Sequence, residues 1–109
     1  MSKKLEAQPP LPIRLQEARQ KMGISQKTLG ILAGIDQFAA SARMNQYEKG
    51  KHSPDYATAR RLAEVLGIPC SYLYEEDDEI AAMLMMFYNL DNLGRKQIME
   101  KMAAIQHKQ

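Results

Sequence analysis

Apolar residues recur along this chain at helical spacing, in short runs separated by glycine or proline. From Pro12 to Met22, Leu15, Ala18 and Met22 stand three and four residues apart, with Pro12 near the first turn of a helix. Gly23 ends that helix, and Ile24 is the expected buried residue after the turn. Ser25 is a good N-cap for a helix of about two turns over Gln26–Ala33, with Leu29, Leu32 and Ala33 as its apolar face. Gly30 is intrinsically poor inside a helix, so its missing side chain implies that another helix crosses closely there. Gly34 supplies the next turn and Ile35 plugs the core.

Asp36 is placed to cap the next helical segment. Within Asp36–Glu48, Ala40, Met44 and Tyr47 give an inward stripe, while Ser41, Arg43, Asn45 and Gln46 fall partly or wholly outside it. A loop of Lys49, Gly50, Lys51, His52, Ser53 and Pro54 comes next. Ser53 or Asp55 then caps a helix to Leu66, with Ala59, Leu62, Ala63 and Leu66 facing in and Gly67 stopping it. Tyr72, Leu73 and Tyr74 are expected to close the core after the turn at Ile68–Pro69. The acidic run Glu75 to Glu79 suits a helix N-terminus, where the helix dipole favours carboxylates. Ile80, Met83, Leu84, Phe87 and Leu90 continue that helix. Asp91 begins a last one with Ile98, Met102 and Ile105 as its stripe, making a C-terminal helical hairpin. Its methionines form a soft, adaptable surface that either packs back on the first domain or meets a second copy of the chain.

Composition narrows the function. Residues 1–61 carry a net charge of +6 and residues 62–109 a net of −4, so the first half is the one suited to a polyanion. At 109 residues the chain is one domain with an appendage, large enough for a core without disulfides or metal. The single Cys70 has no internal partner, which points to a reducing, cytoplasmic setting. Cys70, His52 and His107 lack metal-ligand spacing. With no nucleophile–base set, glycine-rich phosphate loop or metal cluster, an enzyme is not expected, and no cofactor is implied. There is neither a membrane-length apolar run nor a signal segment. Residues 1–11, with Pro9 and Pro10, read as a flexible arm whose Lys3 and Lys4 either track a backbone or are simply solvated.

Two short helices around a glycine turn, the second rich in arginine and amide side chains, have the layout of a helix-turn-helix. Arginine pairs with guanine O6/N7, and asparagine and glutamine suit adenine N6/N7. The chain resembles the lambda-repressor-like, XRE-type helix-turn-helix regulators over residues 13–74. The matching stretches are R-L-Q-E-A-R, G-I-S-Q, L-G-I-L-A-G-I, Y-E-K-G, and S-P with R-R-L-A-E-V-L-G-I-P. The resemblance implies an all-α fold: a DNA-binding domain of about five helices over residues 12–75, plus a helical extension over 76–109 as a candidate dimerisation segment.

By the same resemblance, Ser41, Arg43, Asn45 and Gln46 face DNA bases. Gln26, Lys49 and Lys51 approach phosphates, Gln26 also bracing a reading-helix side chain, and Arg19–Glu48 is a buried structural salt bridge. The expected mechanism adds Lys27 to the phosphate clamp. One departure stands out: about four surplus residues, Asp36-Gln37-Phe38-Ala39, precede the reading helix. Either they lengthen that helix and push Gln37 into the groove, or they widen the turn, with the helix at 40–48 and Ser41 as its cap. The widened turn is the preferred reading. The expected function is sequence-specific duplex DNA binding by a transcriptional regulator, a homodimer on an inverted repeat. The alternative is an antitoxin or protein-interaction module whose DNA binding is autoregulatory. An effector is not legible.

Overall fold

The computed structural model describes residues 8–109, and the described residues form six α-helices with no strand. These are α1 (Leu11–Met22), α2 (Gln26–Leu32), α3 (Ala40–Glu48), α4 (Tyr56–Leu66), α5 (Asp78–Tyr88) and α6 (Asn92–Lys108). A 3₁₀ helix over Cys70–Tyr74 stands between α4 and α5 and is the fifth helical element of the first domain. Of the expected N-terminal arm, residues 1–7, including Lys3 and Lys4, lie outside the described residues. Leu11, which the sequence puts in that arm, instead opens α1 and is buried.

Side-chain caps set most of the helix starts. Ser25 Oγ accepts from the Thr28 N–H at 3.0 Å, Asp55 Oδ1 from Thr58 at 2.8 Å, and Asp91 Oδ1 from Gly94 at 2.8 Å. Asp77 caps α5 by accepting from both Glu79 and Ile80, with Asp78 and Glu79 in the first turn. The Thr58 backbone N–H first, and its side chain second, hold the Asp55 carboxyl below the usual carboxylate range. Helix α3 has no such cap: Ala39 occupies the position, and Ser41 is the second helical residue, not the cap.

The core is a single cluster of Leu11, Leu15, Leu29, Ala33, Ile35, Ala40, Met44, Tyr47, Leu62, Ala63, Ile68 and Leu73. Each of α1, α2, α3 and α4 contributes, so the first four helices and the 3₁₀ turn wrap one interior. Three expected core residues lie outside it. Leu32 is 58% exposed and Met22 48% exposed, each the last residue of its helix, and Tyr74 is exposed at the end of the 3₁₀ turn. Ile24 is half-buried against the cluster.

Arg14, only 8% exposed, does not stand out in the sequence. Its Nε donates to the Glu75 carbonyl at 2.8 Å, its Nη2 reaches Asp78 Oδ1 at 3.1 Å, and its guanidinium lies 5.1 Å from the Tyr72 ring centroid. The Asp78 end is exposed and contributes little; the bond to the buried-side carbonyl is what straps the start of α5 to α1. From there the molecule opens out. Helices α5 and α6 meet at their connecting turn, where Arg95 donates to the carbonyls of Phe87 and Tyr88 at 3.2 and 3.0 Å. Beyond that turn α6 has no buried residue, and Ile98, Met99, Met102 and Ile105 stay exposed. The C-terminal hairpin is therefore an open one.

Helices α2 and α3 make the closest approach. A Cβ on Gly30 would lie 3.0 Å from both Ala40 Cβ and Met44 Cγ, tighter than ordinary contact. Both neighbours are fully buried, so neither can move aside freely. Gly30→Val is expected to destabilise the protein by about 1–3 kcal/mol through overpacking, despite valine's better helix propensity. Thermal unfolding checks this: a melting temperature equal to or above the wild type's contradicts the close approach.

Candidate nucleic-acid interface

The segment 36–39 forms a widened turn, not an extra turn of helix: Ala39 N–H donates to the Asp36 carbonyl at 3.0 Å and Phe38 N–H to Asp36 Oδ2 at 3.0 Å. Asp36 thus stabilises the turn ahead of α3 rather than capping the helix. Ala40 and Met44 then dock against Gly30, and Tyr47 and Glu48 complete the buried side of α3. At 3.6 residues per turn, the direction opposite that stripe is occupied by Ala42, Asn45 and Lys49. Ser41 and Gln46 flank this outward line. Ser41, Ala42, Arg43 and Asn45 are exposed and Gln46 is half-buried. Ala42, at the centre of the face, is invisible to a search for base readers in the sequence, because such a search looks for polar side chains.

Arg43 lies on the Gln46 side of the helix, nearer the buried stripe. With Gln46, Tyr47, His52 and Ser53 it lines a shallow depression of about 350 Å³. The loop after α3 is tied to the helix end: Lys49, Gly50 and Lys51 N–H groups donate to the carbonyls of Asn45, Tyr47 and Gln46 at 2.9, 3.2 and 2.9 Å. Gly50, at φ 76°, adopts the left-handed conformation that lets Lys51 turn back. Lys49 and Lys51 are therefore held beside the exposed face, and both are exposed; Lys27, on α2, is exposed too.

A buried polar node fixes the orientation of α3. Arg19 Nε donates to Glu48 Oε2 at 2.7 Å and Nη2 to Oε1 at 3.0 Å, a bidentate pairing, while Nη1 reaches the Ile24 carbonyl at 2.9 Å. Only 13% of the Arg19 side chain and 1% of the Glu48 side chain are exposed. The hydrogen bond to Glu48 raises the Arg19 pKa, burial opposes it, and the charge of Glu48 adds to the rise. Gln26 Nε2 joins the node, donating to Glu48 Oε1 at 3.0 Å and reaching Asn45 Oδ1 at a long 3.4 Å. The Gln26 amide nitrogen is thus engaged within the protein, and Asn45 is steadied from α2. Arg61 braces the far side: its Nε donates to the Ala33 carbonyl at 2.8 Å, satisfying the end of α2.

Other chemistry is sparse. Among the described residues no three His, Cys, Asp or Glu side chains come together to hold a metal ion, and no helix is long and apolar enough to cross a membrane. Burial pushes the half-buried Cys70 thiol up, with the positive charge of Arg60 opposing, so it is a poor nucleophile.

No family model matches the chain, and no curated protein matches it. A solved structure does. The crystal structure of the transcriptional regulator BswR is similar to it with a TM-score of 0.80 and 44% sequence identity, over 86% of this chain and 93% of that one. The chain belongs to the same family as BswR. Coverage of that extent is longer than the first four helices together, so the likeness to BswR is not confined to one motif.

Arg19→Met strands the Glu48 carboxylate in the interior and is expected to cost about 3–5 kcal/mol in denaturant unfolding. Replacing both partners by apolar residues, as Arg19→Met with Glu48→Leu, removes the stranded charge and recovers most of that loss. A double variant no more stable than the single one contradicts this account.

Proposed function

We propose that the chain is a transcriptional regulator of the lambda-repressor-like, XRE type that binds duplex DNA sequence-specifically as a homodimer on an inverted repeat. The observation that carries this reading is the exposed face of α3. Asn45, Gln46, Arg43 and Ser41 stand there beside Lys49 and Lys51, on a helix anchored to α1 and α2, in a chain of the BswR family. Residues 11–75 form the DNA-binding unit and residues 76–109 the dimerisation segment, with the protein at work in the cytoplasm. Asn45 reads base edges from the outward line, and Gln46, Arg43 and Ser41 read from its flanks. Lys27, Lys49 and Lys51 clamp phosphates, and Gln26, its amide nitrogen taken up by Glu48 and Asn45, joins them through its backbone N–H at the first position of α2. The charge layout supports this division: the half of the chain that holds α2 and α3 is net positive, and the half that holds α5 is net negative.

Dimerisation is assigned to the open hairpin. Met83, Met86, Leu93, Ile98, Met99, Met102 and Ile105 are 37–66% exposed along α5 and α6, and such a set of exposed apolar side chains suits a protein partner. The same surface suits the second reading, an antitoxin whose decisive partner is a different protein and whose DNA binding is autoregulatory.

Three variants test these assignments. Arg43→Ala is expected to weaken binding to a preferred duplex by about 1–3 kcal/mol while leaving nonspecific binding nearly unchanged; equal losses make Arg43 a phosphate contact. Lys51→Ala is expected to reduce the slope of log K against log salt by about 0.9, the share of one phosphate contact, and an unchanged slope removes Lys51 from the clamp. Ile98→Lys with Met102→Lys, both at exposed positions of α6, is expected to turn the dimer into a folded monomer in sedimentation. A dimer that survives the pair of lysines places the interface elsewhere. A wild-type monomer that purifies with an unrelated protein favours the antitoxin reading.

A further inference from the structure

The turn before α3 carries Phe38, at 89% exposure the most exposed large apolar side chain among the described residues. The backbone beneath it is held at both ends. Asp36 receives the N–H groups of Phe38 and Ala39, and the buried Ala40 packs on Gly30 two residues later. A phenyl ring displayed in water from a fixed turn contributes nothing to this fold; its place on the molecule is the informative part.

Phe38 immediately precedes Ala39, the N-cap of α3, whose φ of −103° and ψ of −14° are already close to helical. It therefore stands at the end of the reading helix that approaches base edges when a helix-turn-helix docks in the major groove. Four residues on, Ala42 occupies the centre of the outward face, followed three residues later by Asn45 and four later by Lys49. The start of α3 thus carries two exposed apolar side chains, Phe38 on the turn before it and Ala42 on its outward face, ahead of polar and cationic ones. The major groove offers one apolar group for such an end to meet, the 5-methyl of thymine.

We infer that Phe38, with Ala42 one turn further along, forms an apolar tip that packs on thymine 5-methyl groups and so selects thymine at the part of the site nearest the start of α3. This rests on the DNA-binding reading and adds a hydrophobic component to it. The surplus residues 36–39 then have a role: they carry the ring beyond the helix end while Ala39 and Ala40 keep α3 docked.

The test uses the duplex that the full chain prefers, with each thymine replaced in turn by deoxyuridine, which removes the methyl and leaves the base-pairing edge intact. Loss of one buried methyl is expected to weaken wild-type binding roughly fourfold at one or two positions. Phe38→Ala is expected to bind the thymine and deoxyuridine duplexes equally, and Phe38→Leu to retain part of the wild-type ratio. The high exposure of Phe38 means that all three proteins should melt alike, which separates recognition from folding. An equal deoxyuridine penalty in wild type and Phe38→Ala, or no penalty at any thymine, overturns the inference while leaving selective DNA binding by Arg43 and Asn45 standing. A chain that prefers no duplex overturns both readings together.

Discussion

The Glu48 carboxylate is the point on which the first domain turns. It lies at the C-terminal end of α3, where the helix dipole disfavours a negative charge, and it is almost wholly removed from water. Two donors offset that cost: the Arg19 guanidinium from α1 in bidentate contact, and the Gln26 amide from α2. Three helices therefore meet on one side chain. A buried ion pair is weak evidence of net stability, since desolvation takes back most of the attraction. What it supplies here is direction. With Glu48 fixed, the rotation of α3 about its own axis is fixed, and with it the set of side chains that faces outward.

The contact of Gly30 with Ala40 and Met44 sets the distance between α2 and α3 as the Glu48 node sets rotation. Between the two lies the turn 36–39, whose Asp36 bonds decide where α3 begins. Together these constraints explain how a chain with surplus residues in its turn still presents a short, well-placed exposed face. The insertion is absorbed ahead of Ala39 and does not disturb the packing at Ala40, Met44 or Tyr47.

Much of this is legible in the sequence alone, wherever a residue type has one dominant local use. Ser25, Asp55 and Asp91 are capping residues by the chemistry of their side chains, and a glycine in mid-helix, as at position 30, means a close neighbour. Legibility fails where a side chain has two uses. Leu32 and Met22 fit their apolar stripes as well as Leu29 and Leu15 do, and only the helix ends decide which are covered. Arg14 and Arg61 look like surface charge in sequence; both are structural, because carbonyls distant in sequence needed donors. The candidate site shows the same division. Arginine and amide side chains on α3 draw attention at once, whereas Ala42 and Phe38 carry no polar atom; the place of Ala42 emerges only when the wheel is drawn from the buried residues, and that of Phe38 from its exposure on the turn. The open angle between α5 and α6 is also beyond reach, since a periodic stripe does not say what it packs against.

The central claim is that the exposed face of α3, presented twice by a dimer, reads duplex DNA. Selection of bound sequences from a random duplex pool by the full chain addresses it most directly. The account predicts an enriched inverted repeat, its half-sites centred about one helical turn, roughly 34 Å, apart or a multiple of it. A pool that emerges without any enriched sequence contradicts it.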